Sequence, residues 1–187
     1  YKLKKTLTMK ILKKILILIV AVIALALITA LFVKKEYAVE REVVINKPKA
    51  EVFEYVIYLK NQDNFSVWNM KDPASIRTYS GKDGTVGFVY AWDSKMEDVG
   101  KGEQEITKIT EGEKIEMELR FKEPFEANDS AYMITEAVSE NQTKVKWGFK
   151  GVMPYPMNLM LLMMNMDEML GKDLQDGLNN LKVLLEK

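Results

Sequence analysis

Cysteine and histidine are both missing from the 187 residues of this chain. Without them the chain has no thiolate nucleophile, no Ser-His-Asp relay, no thiolate zinc site and no imidazole ligand or proton shuttle, which argues against most enzyme classes. The missing cysteine leaves the redox compartment open, because such a chain folds equally well on either side of a membrane. No cofactor and no metal site are expected. Asp93, Glu97 and Asp98 are spaced too irregularly for a calcium loop and read as a hairpin tip. Any acid–base chemistry would fall to carboxylates, tyrosine, lysine or arginine, of which Asp72, Tyr90, Glu118, Arg120 and Tyr132 are available.

Acids are missing too, but only from residues 1–35, which hold eight of the 27 basic residues. The rest of the chain therefore sets 19 bases against 27 acids, a net charge of about −8. That balance argues against a phosphate backbone as partner, so no nucleic acid is expected.

What the N-terminal region does have is a long apolar run. Ile15 to Val33 reads ILILIVAVIALALITALFV, with Thr29 as its one polar member. At 1.5 Å per residue it spans roughly 28 Å, about the hydrocarbon thickness of a bilayer. It is too long for the apolar core of a signal peptide, and it ends in Lys34-Lys35 instead of a small-residue cleavage site, so an uncleaved single-pass anchor is expected. Lys2, Lys4, Lys5, Lys10, Lys13 and Lys14 precede the span, which places the N-terminus in the cytoplasm and the domain outside it in the cell membrane. Met9-Lys10 is expected as the true start. The organisation is thus a basic tail over 1–14, a transmembrane helix over 15–33 and a globular domain over 36–187.

The domain opens with an alternating strand, Glu36–Ile45. Asn46-Lys47-Pro48 then signals a helix, with Asn46 as cap, running through Leu59. Phe65-Ser66-Val67-Trp68-Asn69-Met70 is too apolar for an exposed loop and is expected to wall one end of the interior. Six short strands follow, over 76–79, 85–92, 102–109, 114–121, 128–138 and 144–150, with hairpin connectors, so the sheet is antiparallel. Val86, Phe88, Tyr90 and Trp92 share one face, as do Ile115, Met117, Leu119 and Phe121, and Val145, Trp147 and Phe149. Glu116, Glu118, Arg120, Lys144, Lys146 and Lys150 occupy the other. The aromatic side needs a cover. The stretch from Pro154 to Lys187 is expected to supply it as a long helix, Met-rich in its first half and carrying the stripe Leu170, Leu174, Leu178, Leu181 and Leu185 in its second.

This order of elements resembles the helix-grip fold of the START and birch-allergen superfamily, and within it the polyketide cyclase/dehydrase and lipid-transport (SRPBCC) branch. The resemblance is carried by Asn46-Lys47-Pro48 with Val52-Phe53, Phe65-Ser66-Val67-Trp68 with Asp72-Pro73, and Gly84-x-x-Gly87 before Tyr90-x-Trp92. Gly100-x-Gly102-x-Gln104-x-Ile106, Phe121 with Pro124, Thr143-Lys144-Val145-x-Trp147 and Gly177-Leu178-x-x-Leu181-Lys182 complete it. The fold class is α+β, a curved antiparallel sheet of about seven strands wrapped on a C-terminal helix. The resemblance implies a cavity between sheet and helix for a hydrophobic or amphipathic small molecule, and no shared catalytic set.

The candidate ligand-binding residues are Trp68, Phe88, Tyr90, Trp92, Gln104, Met117, Leu119, Trp147, Phe149, Met160 and Met164. Each has an ordinary alternative: the aromatics and methionines could fill a core, and Gln104 could bond the backbone. Three functions follow from these readings: a membrane-anchored binding domain for a lipid-like ligand, a cyclase or dehydratase acting in the same cavity, or a protein-interaction module with a filled core.

Overall fold

The computed structural model describes residues 2–187, with side chains from residue 9 onward. It divides into two compact units, one formed by the chain up to Lys35 together with Met153–Asn165, the other by Glu36–Val152 together with Met166–Lys187.

In the first unit, helix α1 (Lys2–Ala30) contains Met9–Ala30, 22 residues long and apolar enough to cross a membrane. The side chain of Thr29 returns its hydroxyl to the carbonyl of Leu25 at 2.8 Å, so the one polar group of the apolar run from Ile15 to Val33 is satisfied within its own helix. Met153–Asn165 contains a 3-10 turn over Met157–Leu162.

The second unit is a seven-stranded antiparallel sheet in the order β1-β7-β6-β5-β4-β3-β2, the helix-grip architecture expected from the sequence. Its strands are β1 (Glu36–Ile45), β2 (Ile76–Ser80), β3 (Val89–Asp93), β4 (Lys101–Thr110), β5 (Lys114–Glu123), β6 (Ala127–Ser139) and β7 (Gln142–Val152). Strands β2 to β7 form a meander, and β1 closes on β7 from the far edge. Between β1 and β2 the chain crosses from one edge of the sheet to the other through α2 (Lys49–Val56), a 3-10 turn (Leu59–Asn64) and α3 (Val67–Lys71). Helix α4 (Met166–Leu185) lies along β1 and β7.

The alternation along the strands decides the core. Tyr90, Ile115, Met117, Val145, Trp147 and Phe149 are buried, and α4 meets them with Leu174, Leu178 and Leu181, the centre of its leucine stripe. Full burial of each leucine is worth roughly 1.5–3 kcal/mol. Two glycines let α4 approach: a Cβ on Gly177 would lie 2.8 Å from Trp147, and one on Gly171 would overlap the guanidinium of Arg41. Arg41, which interrupts the apolar side of β1, uses that space to form a bidentate pair with Asp167 in the first turn of α4, at 2.9 and 2.8 Å. Lys182 fixes the other end, donating to the carbonyl of Val44 at 2.7 Å.

Three local expectations are corrected. The cap position of α2 is Pro48, and no side chain caps it; Asn46 instead accepts from Gln142 at 2.8 Å while its own N–H donates to Glu186. The strand expected from residue 85 begins at Val89, because Gly84 and Gly87 hold positive φ in a turn that turns Val86 out to solvent. The helix expected from Pro154 begins at Met166; the chain ahead of it forms only a 3-10 turn over Met157–Leu162.

Candidate functional site

Within the second unit the concave face of the sheet does not close solid. A cavity of about 220 Å³ remains between it, α3 and the start of α4. Period-two alternation sets the sheet side: Tyr90 and Trp92 from β3, Gln104 from β4, Met117, Leu119 and Phe121 from β5, Ala131 from β6, and Trp147 and Phe149 from β7. Trp68 of α3 and Leu170 of α4 close the opposite side. All three tryptophans of the chain therefore line one space. They are held edge-on to their neighbours, Trp147 against Phe65 and Trp68 with centroids at 5.6 and 6.0 Å, and Trp92 against Phe121 at 5.9 Å. Trp92 also donates its indole N–H to the carbonyl of Val99.

Two carboxamides interrupt the apolar wall. Gln104 Nε2 donates to Gln62 Oε1 at 2.9 Å, and both residues are buried. The pair's other bond is a weak one, from Gln62 Nε2 to Met117 Sδ at 3.8 Å. Two carboxamides carry four N–H groups and two carbonyl oxygens, so the pair keeps both a donor and an acceptor for a guest, whichever way each amide is oriented. Gln104 was expected to meet the ligand or the backbone; its partner is another side chain. Ser75 Oγ, also on the lining, is buried without a hydrogen-bond partner.

Beside this pair, Tyr90 donates to Asp63 Oδ1 at 2.5 Å, and the same carboxylate accepts from Asn69 Nδ2 at 3.0 Å and pairs with Arg77 at 3.4 Å. Arg77 also donates to the carbonyl of Asn69 at 2.6 Å, which ties α3 to β2 and β3. Burial, and then the bond to Asp63, push the Tyr90 hydroxyl well above its ordinary value of 10.0. It is a proton donor held in place and has no basic character near neutral pH. Farther along, Asp72 accepts from Ser94 Oγ at 2.5 Å and from the Ala74 N–H at 2.9 Å, and Lys71 pairs with Asp173 at 3.3 Å. Asp72 and Lys71 both reach the lining, so this end of the cavity is charged and the β5–β7 end is apolar.

The structure brings Trp68, Tyr90, Trp92, Gln104, Met117, Leu119, Trp147 and Phe149 together around the cavity. It does not bring Phe88, Met160 or Met164. Phe88 lies one pleat beyond Tyr90 and is buried in the solid part of the core, stacked on Tyr79 at 6.3 Å. Met160 and Met164 belong to Met153–Asn165, in the first unit, because α4 starts after them. Gln62, Ser75 and Arg77 are among the polar lining residues that sequence reasoning passed over. Gln62 stands in the polar run Asn61-Gln62-Asp63-Asn64, which reads as a helix stop, and only the 3-10 turn aims it inward.

No family model matches the chain and no curated protein matches it. Solved structures do. The crystal structure of Ara h 8.0201 is 14% identical, covers 80% of this chain and 97% of that one, and has a TM-score of 0.52. Protein CV1439 from Chromobacterium violaceum is 13% identical over 80% of this chain and 97% of its own, with a TM-score of 0.55. DynU16, from the dynemicin biosynthetic locus, is 15% identical over 80% of this chain and 47% of its own, again at 0.55. At these identities the likeness is one of fold, and the fold is the helix grip.

Proposed function

We propose that the second unit binds a small hydrophobic or amphipathic molecule in the cavity, and that α1 anchors it to the cell membrane with its N-terminus in the cytoplasm and the domain outside. The observation that carries the reading is the 220 Å³ space walled by three tryptophans and interrupted by the Gln62–Gln104 pair. An apolar cavity of roughly 150 Å³ stays dry and accepts benzene, so this one has room for a fused ring or a short acyl segment and not for a whole phospholipid. The resemblance of the motifs to the SRPBCC branch supports the same class of guest. The carboxamides give such a guest a polar end to meet, which favours a hydroxyl or carbonyl compound over a plain hydrocarbon.

Membrane anchoring is supported by the length and composition of α1, whose apolar side chains from Met9 to Ile28 are largely exposed. In water they would form an apolar patch far larger than the few hundred Å² a soluble monomer carries. The lysines ahead of the span support the orientation.

Because every tryptophan lines the cavity, the chain reports on its own occupancy. Titration of the detergent-solubilised protein with 2-naphthol is expected to quench tryptophan emission saturably, and naphthalene, lacking the hydroxyl, to bind more weakly. One neutral hydrogen bond is worth about 0.5–1.5 kcal/mol, so the ratio should be about 2- to 10-fold and should vanish when Gln62→Leu and Gln104→Leu are combined. Absence of saturable quenching by either compound, with no small molecule recovered on solvent extraction, would overturn the binding reading. A cyclase or dehydratase in this cavity would draw on Tyr90 and Asp72; Tyr90 holds its proton against Asp63, and Asp72 on the lining accepts from Ser94 and from the Ala74 N–H.

A further inference from the structure

Residues Met153–Asn165 are poorly suited to water. Lys150 and Asp167 are successive charged residues, and the stretch between them reads GVMPYPMNLMLLMMNM. Its apolar side chains are not folded away: Met163 is 91% exposed, Leu162 64% and Met157 49%, with Met160 and Tyr155 also exposed. A run of bulky apolar groups presented this way marks an interaction surface.

Hydrogen bonds fix where this surface sits on its unit. Asn158, itself fully buried, donates both N–H groups of its carboxamide to the end of α1, to the carbonyl of Ala30 at 2.7 Å and of Val33 at 2.9 Å. The N–H of Met153 donates to the carbonyl of Lys35 at 2.8 Å. Asn158 thus caps the orphan carbonyls at the C-terminal end of the apolar helix. Ala30 is buried there, and the next side chains, Leu31 and Phe32, are exposed and continue the apolar surface of the span.

We infer that Met153–Asn165 is a second membrane-seated element, a collar that lies in the headgroup and acyl boundary where α1 leaves the bilayer. The depth follows from the bonds. Ala30 closes a 22-residue span of about 33 Å at 1.5 Å per residue, so its carbonyl lies at the edge of the hydrocarbon. A segment bonded to that carbonyl within 3 Å lies at the same level. Lys34 and Lys35 follow at the level of the headgroups, Tyr155 suits the same belt, and flexible methionines suit a disordered lipid surface. Lipid is the occupant because the surface is continuous with that of the span and carries no charge to complement a protein partner. The inference rests on α1 crossing the membrane.

The absence of cysteine makes the test direct, since each introduced cysteine is the sole thiol. The full chain is reconstituted in phosphatidylcholine vesicles with an environment-sensitive nitrobenzoxadiazole label at Met163→Cys, at Ile19→Cys in mid-span, and at Glu140→Cys in the β6–β7 turn. Iodide probes access from water and doxyl-labelled phosphatidylcholine probes access from lipid. The label at 163 is expected to be quenched by the doxyl lipid and protected from iodide several-fold relative to the label at 140. If 163 behaves like 140 while 19 stays in lipid, the collar is wrong and the span stands; if 19 itself is open to iodide, the span reading falls first and takes the collar with it. Protection of 163 from both quenchers would mean that protein, such as a second copy, covers the surface, and would equally overturn the inference. Asn158→Asp keeps the shape and removes the donors; it is expected to raise iodide access at 163 and not at 19. Unchanged access would refute the role given to Asn158.

Discussion

Ala131→Leu separates a container from a solid core by the sign of one free energy. Ala131 lies in the middle of β6, paired with Met117 on one side and Phe149 on the other, and its Cβ faces the cavity. If the space is open, leucine adds three apolar carbons to it, worth about 2.4 kcal/mol at about 0.8 kcal/mol each. Fixing the leucine rotamer takes back about 0.5–1 kcal/mol. The expected result is a stabilisation of about 1.5 kcal/mol. In a core filled to ordinary density the same substitution would cost about 1–3 kcal/mol. The two outcomes lie roughly 3 kcal/mol apart, well beyond the error of a denaturation curve. Urea unfolding of the solubilised chain, followed by tryptophan emission, gives the number, and the same variant should lose the quenching by 2-naphthol. Destabilisation by 1 kcal/mol or more would refute the open cavity and with it the binding proposal.

Gly177→Ala tests the approach of α4: helix propensity alone predicts a gain of about 1 kcal/mol, but a Cβ 2.8 Å from Trp147 with the backbone of Phe65 behind it should make the variant less stable by about 1–3 kcal/mol in the same urea assay. In an absorbance titration at about 295 nm, Tyr90→Phe should remove no ionisation step below about pH 12 from the folded protein, because burial and Asp63 hold that proton; a lost step near the ordinary value of 10.0 would refute the geometry. Because its folded value is raised, the stability Tyr90 supplies is complete below pH 10.0 and is lost only as pH climbs through that higher value. On the outer face, Lys122 and then Arg120 hold the Glu103 carboxyl below its ordinary 4.5, and Lys114 does the same for Glu116. Their contribution is present above 4.5 and fades as pH falls through the lower folded values, so the urea midpoint should drop in acid, and Glu103→Gln should flatten that drop.

Most of the sheet was legible because one face is buried and the side-chain period is two: β1 and the placement of Met117, Leu119, Trp147 and Phe149 follow from alternation alone. The leucine stripe of α4 was legible for the same reason at a period near four. Where the pattern has no period, the reading went astray. Met157–Met166 is apolar nearly all round, which is equally compatible with a buried helix and with a segment on lipid, so no period marked where α4 starts. Val86 matched the alternation of its strand, but the positive φ at Gly87 broke the register before it. Gln62 could not be found from pattern because a polar residue in a polar run carries no sign of which way it points. Arg41 showed itself as an interruption, and its partner Asp167 lies 126 positions away, a distance that only the tertiary fold resolves.

The open cavity also has an energetic consequence. Side chains that line the cavity lack partner atoms on one side, so part of the packing that a filled core supplies is absent from the second unit. The second unit offsets part of this around the rim instead of in the middle. Arg120 gathers Glu103, Glu105 and Glu118 on the outer face of β4 and β5, and Arg41 and Lys182 clamp the two ends of α4 to β1. These contacts hold the wall and the helix at a fixed spacing without filling the space between them. A guest that binds only the folded state adds its own stabilisation, about 2.7 kcal/mol at 100 times its dissociation constant. The protein with 2-naphthol at that excess should therefore be more stable by about 2.7 kcal/mol in the urea assay. Ala131→Leu, whose gain is already built in, should recover nothing further from the same ligand, and equal shifts in the two proteins would place 2-naphthol somewhere other than this cavity.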